Sequence, residues 1–384
     1  MSQRINTALS AELEKFGISP ENECYHCGTC TAACSLTQKN ELFPRKQIRY
    51  VQMGLKGSLE SSIDPWLCYF CGDCNEKCPR EAKPGEIMMS LRRYLTSVYD
   101  WTGLSKLMYK SKIWEFILIF FFAGIVLFLS LVFMDIPAET ERLTSEGGVA
   151  LNKFAPVEMI HLADMFIFIL LGALLISNAI NMFFKVIIKP KVKVSIGTYI
   201  KELGSLIWNF GSQWKFKKCE GEKTYWGIHW LLMSGYVALL VMIVVFLSWF
   251  QTDTIHPWYH PQRIIGYYAT FGLILGITYF LIKRVRRKSE ISKNSHFTDW
   301  TFLILLLLTT ISGILVHIFR INGYAMPTYY MYVFHLMVLT PMLLIEVPFS
   351  KWSHLAYRPL AVYFANIKKA ALKKEGMNLT KIEN

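Results

Sequence analysis

Six runs of apolar residues, each about 20 residues long, limit most strongly what this chain can fold into. They lie near residues 113–134, 157–184, 226–250, 263–282, 299–319 and 329–349. A run of this length crosses the roughly 30 Å hydrocarbon core of a bilayer as an α-helix, in which every backbone hydrogen bond is internal. We therefore expect six transmembrane helices. With 53% hydrophobic and only 18% charged residues, the composition excludes a single soluble domain.

The loops between these runs differ sharply in positive charge. The segments 185–225, 283–298 and 351–384 contain 22 lysines and arginines, whereas 135–156, 251–263 and 320–328 contain four. Basic loops stay on the cytoplasmic side of a membrane. We therefore expect a multi-pass protein of the cytoplasmic (inner) membrane with both termini in the cytoplasm. The net charge of +13 comes mainly from these loops, so we expect a lipid membrane and no nucleic acid as a partner.

Eight of the nine cysteines lie before the first apolar run, in two segments that read CYHCGTCTAAC and CYFCGDCNEKCP. Both segments follow the spacing C-x2-C-x2-C-x3-C, in which three thiolates bind one 4Fe–4S cluster and the fourth cysteine reaches the other cluster. Zinc is the alternative, but zinc sites use separated C-x2-C pairs. We predict two 4Fe–4S clusters, one held by Cys24, Cys27, Cys30 and Cys78 and the other by Cys68, Cys71, Cys74 and Cys34. The ninth cysteine, Cys219, is expected to be an unligated thiol.

Histidines in or beside the apolar runs are candidates for haem ligands, because neutral imidazole binds iron and titratable groups inside a membrane are costly. The candidates are His161, His229, His317, His335 and His354. A haem b held between helices needs two imidazoles at one depth, and His229 and His354 share the cytoplasmic depth. His335 lies near the other face, where His317 is the expected partner and His161 the next. The absence of this second haem is the third possibility.

The chain is therefore predicted to be all-α. We expect an α-helical ferredoxin domain over 1–105, since the segment between the two cysteine runs shows no strand alternation. A transmembrane cytochrome b bundle of six helices is expected over 106–355. A basic cytoplasmic tail is expected over 356–384.

Residues 20–90 resemble the C-type iron–sulfur protein of heterodisulfide reductase (HdrC). The resemblance rests on Phe43 to Lys46, on the Trp-x-Cys of Trp66 to Cys68, and on the Cys-Pro-Arg of Cys78 to Arg80. The segment from Phe334 to His354 resembles the last span of the cytochrome b subunit of respiratory nitrate reductase, which carries one ligand to each of two haems. That family has a second histidine ten residues after the position of His229, and here this position is Leu239.

The combination resembles the membrane subunits of the quinone-interacting oxidoreductase complexes of sulfate reducers. This resemblance implies two haems b, menaquinone as substrate, and flavoprotein partners related to the A-type protein of heterodisulfide reductase (HdrA-like, of the QmoA and QmoB type). It also implies electron exchange with adenylylsulfate reductase. The chain has no GxGxxG nucleotide loop on a strand–helix unit, so substrate chemistry is expected to depend on partners, and whether the chain counts as an enzyme stays open.

Two other functions remain open at this point. One is membership of a heterodisulfide-reductase-like complex with another terminal substrate. The other is a haem-free membrane anchor, in which the histidines form hydrogen bonds between helices and the bundle only docks the ferredoxin domain. A transporter is disfavoured because no span is paired with a broken-helix counterpart.

Overall fold

The computed structural model describes residues 4–18, 21–37, 42–213, 223–287, 293 and 295–374. Cys219 and the last ten residues of the predicted tail lie outside the described residues. All regular elements in the described ranges are helices, apart from an isolated antiparallel bridge between Leu143 and Val149. The prediction of an all-α chain with six membrane-length helices is confirmed.

In its described residues the N-terminal head contains eight α-helices. They are α1 (Leu9–Glu14), α2 (Thr29–Ala33), α3 (Arg45–Gln52), α4 (Lys56–Glu60), α5 (Asp64–Leu67), α6 (Asp73–Glu76), α7 (Pro84–Tyr99) and α8 (Leu104–Lys110). Only α7 is long, and its apolar face is fully buried at Ile87, Leu91 and Tyr94. The other helices are one or two turns each, because the cysteine loops interrupt the chain repeatedly. The head therefore gets its core from packing around α7.

The body contains six helices long and apolar enough to cross a membrane. They are α9 (Lys112–Phe133), α11 (Val157–Ile188), α13 (Thr224–Phe250), α14 (Pro261–Arg286), α15 (Phe297–Ile321) and α16 (Ala325–Phe349), with the short α10 (Leu151–Phe154) between the first two. Their bounds lie within a few residues of the apolar runs in the sequence. Large apolar side chains such as Phe120 and Leu131 are exposed along them, as a lipid environment requires.

Two further helices lie outside the six spans, at the head end of the bundle. The helix α12 (Ile196–Ser212) follows the second span, and α17 (His354–Lys374) follows the last. They contact each other, and the Tyr363 hydroxyl donates a hydrogen bond to the carbonyl of Tyr199 at 3.0 Å. The sequence analysis assigned no helix to the segment after residue 355, where the structure has α17.

The helix α17 joins the head to the bundle through one continuous apolar core. Tyr357 and Phe364 are buried in the cluster that also contains Trp66 and Leu91 of the head and Val186 of the second span. The ring centre of Tyr357 lies 5.1 Å from that of Trp66. We define the head end of the bundle as the end that contacts this core, and the far end as the opposite one.

Candidate functional site

The two cysteine loops have the same backbone shape. In each loop the residue before the second cysteine is left-handed, with φ of 57° at His26 and 58° at Phe70. The glycine after that cysteine is also left-handed, with φ of 90° at Gly28 and 98° at Gly72. A glycine adopts this conformation without steric cost, whereas other residues do so rarely. These turns lead into α2 and α6, which contact each other.

The cysteines come together in two groups. Cys24, Cys27 and Cys78 lie close enough to Cys30 that their charges add to the effect of burial, which raises the pKa of Cys30 to about 11. In the same way burial, with the nearby Cys68, Cys71 and Cys34, raises the pKa of Cys74. Thiols that deprotonate so reluctantly become ligands only with a strong cation among them, which iron provides. Each group thus has the donor set for one cluster, and ligation stays a prediction.

The groups are wider than a site for one ion. Within the described ranges, no three histidine, cysteine, aspartate or glutamate side chains converge closely enough to hold a single metal ion. A four-iron cluster spans several ångströms and needs its thiolates at separate corners. The weak effect of Cys30 on the pKa of Cys74 also indicates that the two groups are neighbours.

The second cysteine loop faces the membrane bundle. Tyr69 and Phe70 line a small cavity against Cys34, Cys68, Cys71 and Cys74. The same two side chains also line a cavity of about 190 Å³ that contains His229 and His354. We call this second cavity the head-side cavity. Two aromatic residues therefore form the partition between the second cysteine group and the histidine pair.

His229 of α13 and His354 of α17 face each other across the head-side cavity. Their ring centres lie 6.5 Å apart with an angle of 56° between the planes. A metal-to-imidazole bond is about 2 Å, and the ring centre lies about 1 Å beyond the nitrogen, so two imidazoles on one metal have centres about 6 Å apart. The spacing therefore fits two imidazoles that bind one metal ion.

Hydrogen bonds orient both imidazoles in the same sense. The Nδ1 of His354 donates to the carbonyl of Lys351 at 2.6 Å, and the Nδ1 of His229 donates to Oε1 of Gln213 at 2.8 Å. Each bond fixes the tautomer in which Nε2 carries the lone pair, the arrangement usual for metal-binding histidines. Burial lowers the pKa of His354 to about 3, so its ring is neutral at pH 7.

Positive side chains surround the head-side cavity. Arg92 donates to the carbonyls of Pro65, at 2.7 Å, and of Cys68, and Arg358 donates to that of Cys68 at 3.5 Å. Burial and the neighbouring Arg358 lower the pKa of Arg92 to about 9. Arg358 also lies over the ring of Tyr69, with its guanidinium carbon 5.2 Å from the ring centre. The two guanidinium groups favour an anionic group in this cavity, such as a haem propionate.

A second, larger cavity of about 270 Å³ lies inside the bundle and reaches its far end. We call it the far-side cavity. His317 and His335 both line it, together with Leu239, whereas His161 does not. Arg263 donates to Nδ1 of His317 at 2.6 Å, and the Tyr267 hydroxyl lies 2.9 Å from Nε2. His335 is hydrogen-bonded through Nδ1 to Oγ of Ser312 at 2.9 Å.

Several residues of these cavities were missed by the sequence analysis. Gln213, Arg92 and Arg358 act through contacts that join distant parts of the chain, and no local pattern marks them. Arg263 carries a signal in the sequence, since it is a lone cation at the start of an apolar run and such residues are functional candidates.

Comparison with known proteins gives a family match in the head. Residues 21–82 match the family described as the 4Fe-4S dicluster domain. The C2 iron–sulfur protein of the CoB–CoM heterodisulfide reductase of Methanocaldococcus jannaschii is 44% identical over 69 residues, which cover 18% of this chain and 37% of that protein. An HdrC-like protein from Archaeoglobus profundus is 35% identical over 77 residues, covering 20% and 41%.

A third relative is the HdrC protein of the ferredoxin:CoB–CoM heterodisulfide reductase of Methanosarcina acetivorans, which is 32% identical over 94 residues, covering 24% of this chain and 37% of the relative. The chain spans less than half the length of these curated relatives. No solved structure matches the chain. The predicted resemblance of the head is confirmed: it is a 4Fe–4S dicluster domain similar to the HdrC proteins of heterodisulfide reductases, a module that implies electron transfer.

Proposed function

We propose that this chain is the membrane electron-transfer subunit that links the menaquinone pool, through haem b and two 4Fe–4S clusters, to cytoplasmic flavoprotein partners. The observation that carries the proposal is the partition formed by Tyr69 and Phe70, with the second cysteine group on one side and His229 with His354 on the other. Two sites suited to one-electron carriers are thereby adjacent across a single aromatic layer. A membrane anchor without a haem has no need for this adjacency.

The residues of the head-side cavity fit a haem. His229 and His354 would hold its iron, and Arg92 and Arg358 would pair with its carboxylates. When bound, a haem and the clusters supply one-electron transfer. The chain's own residues orient the imidazoles through Gln213 and the Lys351 carbonyl and enclose the cavity with aromatic side chains such as Trp352.

Cys24, Cys27, Cys30 and Cys78 would hold the first cluster, and Cys68, Cys71, Cys74 and Cys34 the second. The second cluster would lie next to the bundle and the first further from it, since Tyr69 and Phe70 belong to the second cysteine run. The first cluster would therefore face the partners. The excess of lysine and arginine in the loops at this end supports a cytoplasmic position for that face.

The partners are proposed by similarity of the head. The named relatives belong to heterodisulfide reductases, so HdrA-like flavoproteins are the first candidates here. Adenylylsulfate reductase, in dissimilatory sulfur metabolism, is the proposed terminal partner. The partners can be identified by copurification with the tagged chain from native membranes. If proteins other than adenylylsulfate reductase copurify, the alternative of a heterodisulfide-reductase-like complex with another terminal substrate is favoured.

The first experiment is a reduced-minus-oxidised visible spectrum of the purified, detergent-solubilised chain, with haem quantified as its pyridine complex and non-haem iron counted. We expect haem b together with about eight non-haem irons, four for each cluster. Non-haem iron without haem would contradict this proposal and support the alternative of a haem-free membrane anchor.

A matched pair of variants separates the two cofactor types. Cys68→Ala is expected to reduce the iron content and leave the haem spectrum in place, whereas His229→Ala is expected to do the reverse. Loss of both cofactors in both variants would show misfolding, and a second pair, Cys24→Ser and His229→Gln, then repeats the test with smaller changes of volume.

A further inference from the structure

The far-side cavity has a polar cluster at one end and apolar walls elsewhere. Leu240, Ile243 and Leu339 are typical of the walls, while Asp164, Arg263, Tyr267 and His317 lie at the far end. Its volume of about 270 Å³ is close to the lower limit, about 300 Å³, of pockets that hold small organic ligands. The cavity therefore suits a flat, mostly apolar ligand with polar atoms at one edge.

Arg263 carries a buried positive charge. It is 8% exposed, and within the described part of the chain no carboxylate lies within ion-pair distance of it. Its hydrogen bond to His317 goes to a neutral acceptor, so its charge is uncompensated in an apolar surrounding. By contrast, Arg320 at the same end donates to the backbone carbonyls of Thr252 and Thr254. A buried guanidinium of this kind favours a ligand oxygen that carries or gains negative charge.

The hydrogen bonds of His317 argue against its use as a haem ligand. Because a guanidinium can only donate, Nδ1 of His317 accepts from Arg263 and its lone pair is occupied. The proton is then on Nε2, which donates to the hydroxyl oxygen of Tyr267 at 2.9 Å. The hydroxyl hydrogen of Tyr267 remains available to a ligand.

Apart from His317, the residues that line the far-side cavity include no histidine that could bind a metal together with His335. Leu239 of α13 lines the cavity with it, and an aliphatic side chain binds no iron. Nδ1 of His335 donates to Oγ of Ser312, since the hydroxyl hydrogen of Ser312 is used on the carbonyl of Thr309 at 3.1 Å. Gly313 makes room for the ring, because a Cβ at this position would lie 3.1 Å from Cε1 of His335. His335 thus presents an acceptor nitrogen to the cavity.

Some side chains that line the cavity are partly exposed. Phe168 of α11 and Tyr267 of α14 line it and are 41% and 39% exposed, on two helices that a membrane would surround. A ligand that enters there comes from the membrane rather than from water. A lipid-soluble quinone has this solubility, a flat ring and oxygen atoms at the ring edge that gain negative charge on reduction.

We propose that the far-side cavity binds the ring of a lipid-soluble quinone, with Arg263 and Tyr267 holding one ring oxygen, His317 orienting these two side chains, and His335 accepting a hydrogen bond from the reduced form. This inference rests on the proposed function, because the haem and clusters proposed there would accept the electrons of the quinol. Oxidation of one quinol releases two electrons and two protons. The electrons leave one at a time to the one-electron carriers proposed above, and the protons leave at the far end, where Asp164 lines the cavity.

Tyr236 connects this site to the head-side cavity. It lines both cavities, and its ring centre lies 4.4 Å from that of Trp352, which also lines the head-side cavity. The quinone site and the His229–His354 pair are therefore separated by packed aromatic side chains.

The test is a fluorescence-quenching titration of the full-length protein with the quinol analogue heptyl hydroxyquinoline N-oxide. Arg263→Gln and Tyr267→Phe are each expected to weaken binding at least about ten-fold, because each removes a hydrogen bond to the ligand oxygen. Tyr268→Phe is the matched control: its hydroxyl bonds Oγ of Ser234 at 2.7 Å, and binding should stay unchanged. Menaquinone should displace the probe, and vesicles of an anionic phospholipid should not.

Unchanged affinity in both Arg263→Gln and Tyr267→Phe overturns the proposal, as does displacement by the phospholipid alone. Haem content of the same samples shows that the variants are folded. If His317→Ala loses a haem, the cavity is a haem site and the proposal is wrong. Probe binding that depends on Arg263 in a protein without haem would instead support this site and contradict the proposed function.

Discussion

The two ends of the membrane bundle both place partly buried histidines beside a cavity, and they use them differently. At the head end, His229 and His354 donate from Nδ1 to oxygen atoms, which directs the lone pair of Nε2 into the cavity. At the far end, His317 accepts at Nδ1 from a guanidinium. The direction of one hydrogen bond therefore distinguishes an imidazole whose Nε2 is free to accept, as the proposed haem ligands require, from one whose Nδ1 lone pair is already occupied. Residue type and depth alone do not make this distinction.

The ends also differ in how they compensate buried charge. Near the head end, Asp299 contacts Lys351 at 2.6 Å and Arg284 at 3.4 Å. At the far end, Arg263 has a neutral histidine as its partner. A buried charge with an ion-pair partner is satisfied within the fold, whereas a buried charge without a counter-anion favours a polar or anionic ligand.

The largest expected effect is a complete loss of haem in one variant and none in its counterpart. His354→Ala removes one of the two proposed haem ligands and should abolish the haem b spectrum, while His317→Ala should leave haem content unchanged. The measurement is the pyridine haemochrome assay on both proteins. Equal loss of haem in the two variants would show that the two ends of the bundle do not differ in haem binding.

A smaller effect is expected from the residue that orients His229. Gln213→Leu removes the acceptor of the Nδ1 hydrogen bond, and the loss of such a support weakens metal binding by about 10- to 100-fold. Haem titration of the apoprotein measures it. Arg263→Gln at the far end is the control and should keep the affinity of the wild type. A normal affinity in Gln213→Leu would mean that the hydrogen bond does not orient the ring.

The smallest effect concerns pH and the buried Glu86 of the head. Burial raises the pKa of Glu86 to about 8, against the nearby positive charge of Arg93. The folded state therefore binds more protons than the unfolded state between about pH 4.5 and 8, and stability falls as the pH rises through this window. Glu86→Gln should flatten this dependence and be more stable at pH 8, by at most about 5 kcal/mol.

Thermal unfolding of the two proteins in detergent at pH 5 and pH 8 measures the difference. Glu81→Gln is the control, because Glu81 is exposed and its substitution should leave the pH dependence as it is. A wild-type melting temperature that is equal at both pH values would show that Glu86 is charged in the folded protein.

The sequence was sufficient for the parts of the fold that depend on local pattern. The lengths of the apolar runs predicted the six membrane-length helices to within a few residues, because the thickness of a bilayer dictates the length of a helix that crosses it. The repeated cysteine spacing predicted the same two groups that the folded head brings together, since four ligands at fixed spacing leave few arrangements.

The sequence was not sufficient for contacts between distant segments. The pairing of His229 with His354 follows from their common depth, but its support by Gln213 depends on a left-handed end of α12 at φ 50°. The contact of Arg263 with His317 joins residues 54 positions apart, and no periodicity encodes it. The helix α17 was missed because its buried face packs against distant segments, namely the head, α12 and the end of the second span, while its lysines resembled a solvated tail.

The position of α17 has a consequence for how the protein is made. Ribosomes produce the head first, but Tyr357, Phe364 and Ile367, which complete its core, emerge only after all six spans. Until then the nascent head exposes an apolar surface next to its cysteines, the state in which partly folded domains aggregate or recruit chaperones. Completion of the head, and with it a stable place for metal clusters, is therefore tied to successful membrane insertion of the whole chain.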